Sequence, residues 1–92
     1  MKKCSFYTRK TKGIEWVNGW TDGKYNYYKN GDMWFCIVPD IGIAAVTGSS
    51  RKDVVTQVYD HDIAAKIASI MDRDGEKLKE KFNSLIQETE NN

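Results

Sequence analysis

The dipeptide Asn30-Gly31 constrains the fold of this chain more than any other feature, because it stands between an aromatic run, Tyr25-Asn26-Tyr27-Tyr28, and an apolar one, Met33 to Val38. Asn-Gly is the strongest short hairpin signal, since both central residues of a type I′ turn need positive φ and these two tolerate it best. A loop at Asn30-Gly31 places Lys29 opposite Asp32, Tyr28 opposite Met33, Tyr27 opposite Trp34 and Tyr25 opposite Cys36. Opposite charges in the first pair and aromatic contact in the third each favour that register by about 0.2–1 kcal/mol. Met33 to Val38 is apolar at every position, the pattern of a strand covered on both faces. Pro39 lacks a donor and fixes φ, so the strand stops there. Ile41 to Thr47 returns as a further strand closed by Gly48, and the small Ala44 and Ala45 let a helix approach one side.

Upstream, Cys4 to Thr8 alternates as a first strand does. Arg9-Lys10-Thr11-Lys12-Gly13 reads as a basic turn, and Ile14 to Val17, with Trp16, as a short second strand. Asn18 to Gly23 is rich in turn residues and contains Trp20, which either plugs the end of a core or stays exposed for a partner. Downstream, Ser49 or Ser50 suits an N-cap ahead of a helix starting near Arg51, where Val54, Val55, Val58 and Tyr59 repeat at helical spacing. The stripe resumes at Ile63, Ile67, Ile70 and Met71, so either one helix runs from Arg51 to Met71 or Asp60 caps a second. Asp72-Arg73-Asp74-Gly75 reads as a break before a last helix carrying Leu78, Phe82, Leu85 and Ile86, and the tail 90–92 is expected to fray.

The chain has 92 residues, enough for one domain that buries roughly 60% of its unfolded surface. The expected class is α+β, an antiparallel meander of four or five strands over residues 1–48, followed by two or three helices over residues 50–89 that pack on it. No apolar run approaches the ~18 residues of a membrane span, and none resembles a signal peptide. The expectation is a cytoplasmic protein. In that setting Cys4 and Cys36 read as reduced, buried thiols, lacking the close spacing and extra ligands of a zinc site.

Catalytic signals are sparse. His61 is the sole histidine, and its neighbours Asp60 and Asp62 point in other directions from it along a helix or cap. Asp72-x-Asp74-Gly75 fails as a calcium loop, because its first ligand position would be Ile70 and its twelfth Lys81. Gly42 and Gly48 ahead of Ser49-Ser50-Arg51-Lys52 have neither Walker nor dinucleotide spacing, which leaves helix capping. The sequence therefore predicts no enzyme, no metal and no cofactor, and points to binding.

Charge is uneven. Residues 1–31 carry seven basic and two acidic side chains, a balance of +5; residues 32–92 carry seven and eleven, a balance of −4. Such asymmetry can mark a binding face. An aromatic patch of Trp16, Trp20 and Tyr28 rimmed by Lys10, Lys12 and Lys24 has the composition of a protein-interface hot spot. Alternatively, Arg51, Lys52 and Lys29 serve nucleic acid, or Tyr7, Trp20, Tyr25, Tyr27 and Tyr28 among Lys10, Lys12, Lys24 and Lys29 make a stacking face for single strands.

Two resemblances bear on the choice. Thr47-Gly48-Ser49-Ser50-Arg51-Lys52 leading into a helix looks like the last strand and second-helix start of double-stranded RNA-binding domains. It departs from them in having no helix ahead of the sheet and Val54 and Val55 in place of later lysines. Trp34, Pro39, Asp40, Gly42, Ile43, Thr47, Gly48, Arg51 and Lys52 together make the chain similar to small proteins of bacteriophages and mobile elements. That resemblance implies stoichiometric binding to a protein partner, with inhibition of a host defence effector of the CRISPR type as one form. A DNA mimic is not implied, because the net charge is +1. The oligomeric state is left open by the sequence.

Overall fold

A computed structural model describes residues 1–91, so Asn92, part of the tail expected to fray, lies outside the described residues. The elements are β1 (Lys2–Lys10), β2 (Gly13–Thr21), β3 (Asn26–Asn30), β4 (Met33–Val38), β5 (Ile43–Gly48), α1 (Arg51–Val58) and α2 (His61–Glu90). The strands form one antiparallel sheet in chain order, each paired with its sequence neighbours, as short connections require. The class is α+β, a five-stranded meander followed by two helices.

The hairpin differs from the expected one by a single loop residue. Asn30 pairs with Met33, Lys29 with Trp34, Tyr28 with Phe35 and Tyr27 with Cys36, so the loop is Gly31-Asp32. Only Gly31 has positive φ, +62°, which suits a turn with glycine first rather than a type I′ Asn-Gly turn. The shift moves every partner by two positions, so the faces survive: Tyr27 and Cys36 still point the same way. The last strand starts at Ile43, not Ile41, because Gly42 takes φ +67° and its amide bonds back to the carbonyl of Val38 at 2.8 Å. Ala45 lies at a register shift, between the pairs Cys36–Val46 and Ile37–Ala44, as a β-bulge does.

The largest correction concerns residues 18–21, which are strand rather than loop. β2 runs unbroken to Thr21 because all nine residues of β1 pair with it, Lys3 opposite Trp20 and Cys4 opposite Gly19. β2 meets β3 only through Trp20–Tyr27 and Thr21–Asn26. A Cβ at Gly19 would collide with the Tyr27 carbonyl, so this close approach requires glycine. The β1–β2 ribbon leaves β3 at that point, and its far end reaches the start of β5. There the Arg9 amide and the Thr8 hydroxyl both donate to the Gly42 carbonyl, at 2.8 and 3.1 Å.

Each face of the sheet buries a core. On one, Tyr25, Tyr27 and Cys36 pack against Val54 and Val58 of α1. On the other, Tyr28 stands edge-on to Phe6 at 6.1 Å and stacks on Phe35 at 5.1 Å. Phe82 of α2 is buried against Gly42, whose missing side chain makes room for the ring.

Helix boundaries follow capping. Ser50 Oγ accepts the Asp53 amide at 3.1 Å, and Asp53 Oδ2 accepts the Ser49 amide at 3.2 Å, a reciprocal cap. Asp60 caps α2 through the Asp62 amide at 2.9 Å, which resolves the Arg51–Met71 ambiguity in favour of two helices. The expected break at residues 72–75 does not occur. Met71, Gly75, Leu78 and Phe82 stay in helical phase, and one glycine without a proline costs only about 1 kcal/mol. Among the described residues no helix is long and apolar enough to cross a membrane.

Candidate binding face

Strand alternation sorts the β1–β2 ribbon into two sides. Phe6 and Thr8 point inward and are buried, with Val17 and Gly19 on the same side. The outer side presents Lys3, Ser5, Tyr7 and Arg9 from β1 and Ile14, Trp16, Asn18 and Trp20 from β2. It continues the sheet face on which α1 sits; α1 makes its contacts on β4 and β5, and α2 touches β2.

Trp16 is 58% exposed, the largest exposure of any tryptophan in the chain, and stands edge-on to Tyr7 at 4.7 Å. Two strand positions on, Ser5 donates to Asn18 Oδ1 at 2.6 Å. A further two positions bring Trp20, half-buried, tilted against Trp34 at 5.3 Å. The Arg51 guanidinium lies over the Trp20 ring at 5.4 Å, within cation–π range. Lys3 pairs across from Trp20 and Lys29 across from Trp34. A shallow groove lined by Lys3, Cys4, Ser5, Asn18, Gly19 and Trp20 runs along this part of the ribbon.

The structure thus brings Trp16 and Trp20 onto one face and adds Arg51 and Lys29, which the sequence had assigned to a separate alternative. Tyr28 does not join them: it lies on the opposite sheet face, packed between Phe6 and Phe35, and burial raises its hydroxyl pKa. Tyr25 and Tyr27 are core residues and are not available for stacking. Lys10 pairs with Glu15 at 3.4 Å on the inner side of the ribbon, opposite to Trp16, and Lys12 lies in the β1–β2 turn. Lys24 belongs to the β2–β3 turn, with its ammonium 5.4 Å from the Tyr25 ring, and Lys52 is exposed in the first turn of α1. Missing from the sequence reading were Tyr7 as the partner of Trp16 and the Ser5–Asn18 pair. Both depend on a nine-residue register that short alternation could not reveal.

No protein-family model matches the chain, and no curated protein or solved structure matches it either. Its surfaces must therefore be read on their own chemistry.

A second polar cluster lies where the β2–β3 turn meets α1. Asp22 Oδ1 accepts the amides of Lys24 and Tyr25 at 2.8 and 2.7 Å, and Oδ2 accepts the hydroxyls of Tyr27 and Tyr59 at 2.6 and 2.7 Å. Partial burial opposes ionisation, but these four donors outweigh it and hold the carboxyl down at about 2. Desolvation, then the bond to Asp22, pushes Tyr59 up to about 12 and Tyr27 far above the usual phenol range. Every lone pair in use is spent on the fold, so this cluster reads as a tie between turn and helix. His61 is fully exposed, 3.8 Å from Asp62. Among the described residues no three His, Cys, Asp or Glu side chains group closely enough to hold a metal ion.

Proposed function

We propose that this is a non-enzymatic binding protein that engages a macromolecular partner through the outer face of the β1–β2 ribbon. The observation that carries this reading is Trp16: a large aromatic, 58% exposed, held in a fixed pair with Tyr7 on a face that α1 leaves open. A tryptophan presented at the surface on strands serves contact rather than core packing. The resemblance to small phage and mobile-element proteins supplies a setting, the cytoplasm of a bacterial host. There a stoichiometric inhibitor would act on a defence effector of the CRISPR type, an assembly that offers both protein surface and bound nucleic acid.

The test is capture of named defence complexes from bacterial lysate by immobilised wild-type protein and by Trp16→Ala, before and after nuclease treatment. The contact face predicts capture that Trp16→Ala abolishes and that Lys77→Glu, on exposed helix α2, leaves intact. Equal capture by all three proteins would place the contact elsewhere.

A further inference from the structure

We propose that the chemical group held on the β1–β2 face is single-stranded nucleic acid, bound by stacking of bases on Trp16 and Trp20 with phosphates on the surrounding cations. This inference rests on the reading of that face as the contact surface. Three features of the geometry carry it.

The first is charge. Of the eight side chains that β1 and β2 present outward, Lys3 and Arg9 are cationic and none is a carboxylate. Arg51 and Lys29 add two more cations at the Trp20–Trp34 end. Glu15 belongs to the inner side of the ribbon and is paired with Lys10. A net charge of +1 conceals this local excess, which complements a polyanion.

The second is the order of chemistry along the face. Protein interfaces place apolar side chains at the centre and polar ones at the rim. Here the hydrogen-bonded Ser5–Asn18 pair stands between the Trp20 and Trp16 rows, with Arg9 and Ile14 beyond Trp16. A polar centre between aromatic platforms suits bases, which offer donors and acceptors at their edges and π faces above and below.

The third is spacing. Trp16 and Trp20 are four residues apart on one strand, so their Cα atoms stand about 13 Å apart. That separation leaves room for a base between the two platforms, over Ser5 and Asn18. Arg51, already lying on Trp20, extends the stacking surface with a planar cation. Stacked bases inside a duplex cannot reach such platforms, so single strands are the substrate class.

The experiment is fluorescence anisotropy of labelled 12-nucleotide mixed-sequence DNA and RNA oligomers, single-stranded and duplex, titrated with the intact protein at several salt concentrations. Single strands are expected to bind more tightly than duplex, with log K falling against log salt at a slope of about −3 for four phosphate contacts. DNA against RNA in the two arms identifies the source. Trp16→Ala should weaken binding about tenfold or more. Lys3→Glu/Lys29→Glu should weaken it and shallow the slope by at least about 1. Lys77→Glu/Lys81→Glu on α2 should change neither, and unchanged melting of each variant excludes misfolding as the cause. Binding that is insensitive to both face variants overturns the assignment. Failure to bind any oligomer, alongside Trp16-dependent capture of a protein that survives nuclease, overturns the nucleic acid inference and keeps the contact face. Failure of both overturns the contact face itself.

Discussion

The hydroxyl of Tyr59 donates to Oδ2 of Asp22 at 2.7 Å, joining the C-cap of α1 to the β2–β3 turn. Tyr27, with no exposed surface, donates to the same oxygen from inside the core. One carboxylate therefore fixes three things at once: the turn, the central strand and the end of the helix that covers it. It also anchors the end of the ribbon that carries Trp20, next to Thr21 and Asp22 in the chain.

Asp22→Ala should destabilise the protein by about 1–3 kcal/mol at neutral pH, because it leaves the buried Tyr27 hydroxyl without an acceptor. Its carboxyl titrates at about 2 in the fold against an ordinary 3.8. A depressed pKa contributes stability that is present above the unfolded value and lost as pH falls through the folded one. The gap between wild type and Asp22→Ala should accordingly be full above pH 4 and shrink toward pH 2. Urea denaturation at pH 7, 4 and 2.5 measures it, and a gap constant across the three would contradict this role for the carboxylate.

Gly19→Ala should cost about 1–3 kcal/mol by overpacking, since the new methyl meets the Tyr27 backbone, which cannot rotate away. Gly23→Ala is the matched control for space alone: a Cβ there touches nothing, and the cost comes only from its φ of +96°. Thermal melts of the two variants should also differ in kind. Gly19→Ala disturbs the junction of the ribbon with β3, so near-ultraviolet dichroism from Trp20 and Trp34 should change with it.

What the sequence made legible was local. Three strands of the Lys24–Gly48 meander, the Pro39 stop and the serine cap of α1 follow from turn chemistry and capping, which act over a few residues, while the Asp60 cap was one of two alternatives that the spacing allowed. The errors came from partners far along the chain. Asn18-Gly19 reads as a turn, but nine ladder pairs with β1 override that preference and carry Trp20 into the sheet. Asn30-Gly31 reads as the loop, but the pairing of Tyr27 with Cys36 in the α1-covered core moves it to Gly31-Asp32. The candidate site was legible in its residue types and not in its grouping. Trp16 and Trp20 share a face only because they stand four positions, an even offset, apart on one strand. Tyr28 is lost from the patch because it pairs within the sheet's other core.

The two thiols should react very differently. Cys36 has no exposed surface, and desolvation pushes its pKa up to about 12. Cys4 is partly accessible, with its pKa also raised by burial. Thiolate is the reactive form, so a chromogenic disulfide reagent at pH 8 should modify Cys4 slowly and leave Cys36 untouched until the protein unfolds. Titration of one thiol in native buffer and two in denaturant is the expected count. Two native thiols of equal rate would contradict the core position of Cys36.

Gly75→Ala should stabilise the protein. Gly75 interrupts a 30-residue helix at its middle and is buried, which ordinarily signals a close approach that forbids a side chain. Here a Cβ would meet only Met71 of the same helix, at 3.5 Å from its terminal methyl, an ordinary contact. The backbone is helical, so alanine fits without strain and recovers the propensity that glycine forfeits, about 0.8–1 kcal/mol. The melting temperature should rise by several degrees. The sign of that shift separates two accounts of residues 72–75. A rise means that the segment is a helix weakened by its glycine, whereas a fall means that Asp72-Arg73-Asp74-Gly75 needs a conformation that only glycine adopts.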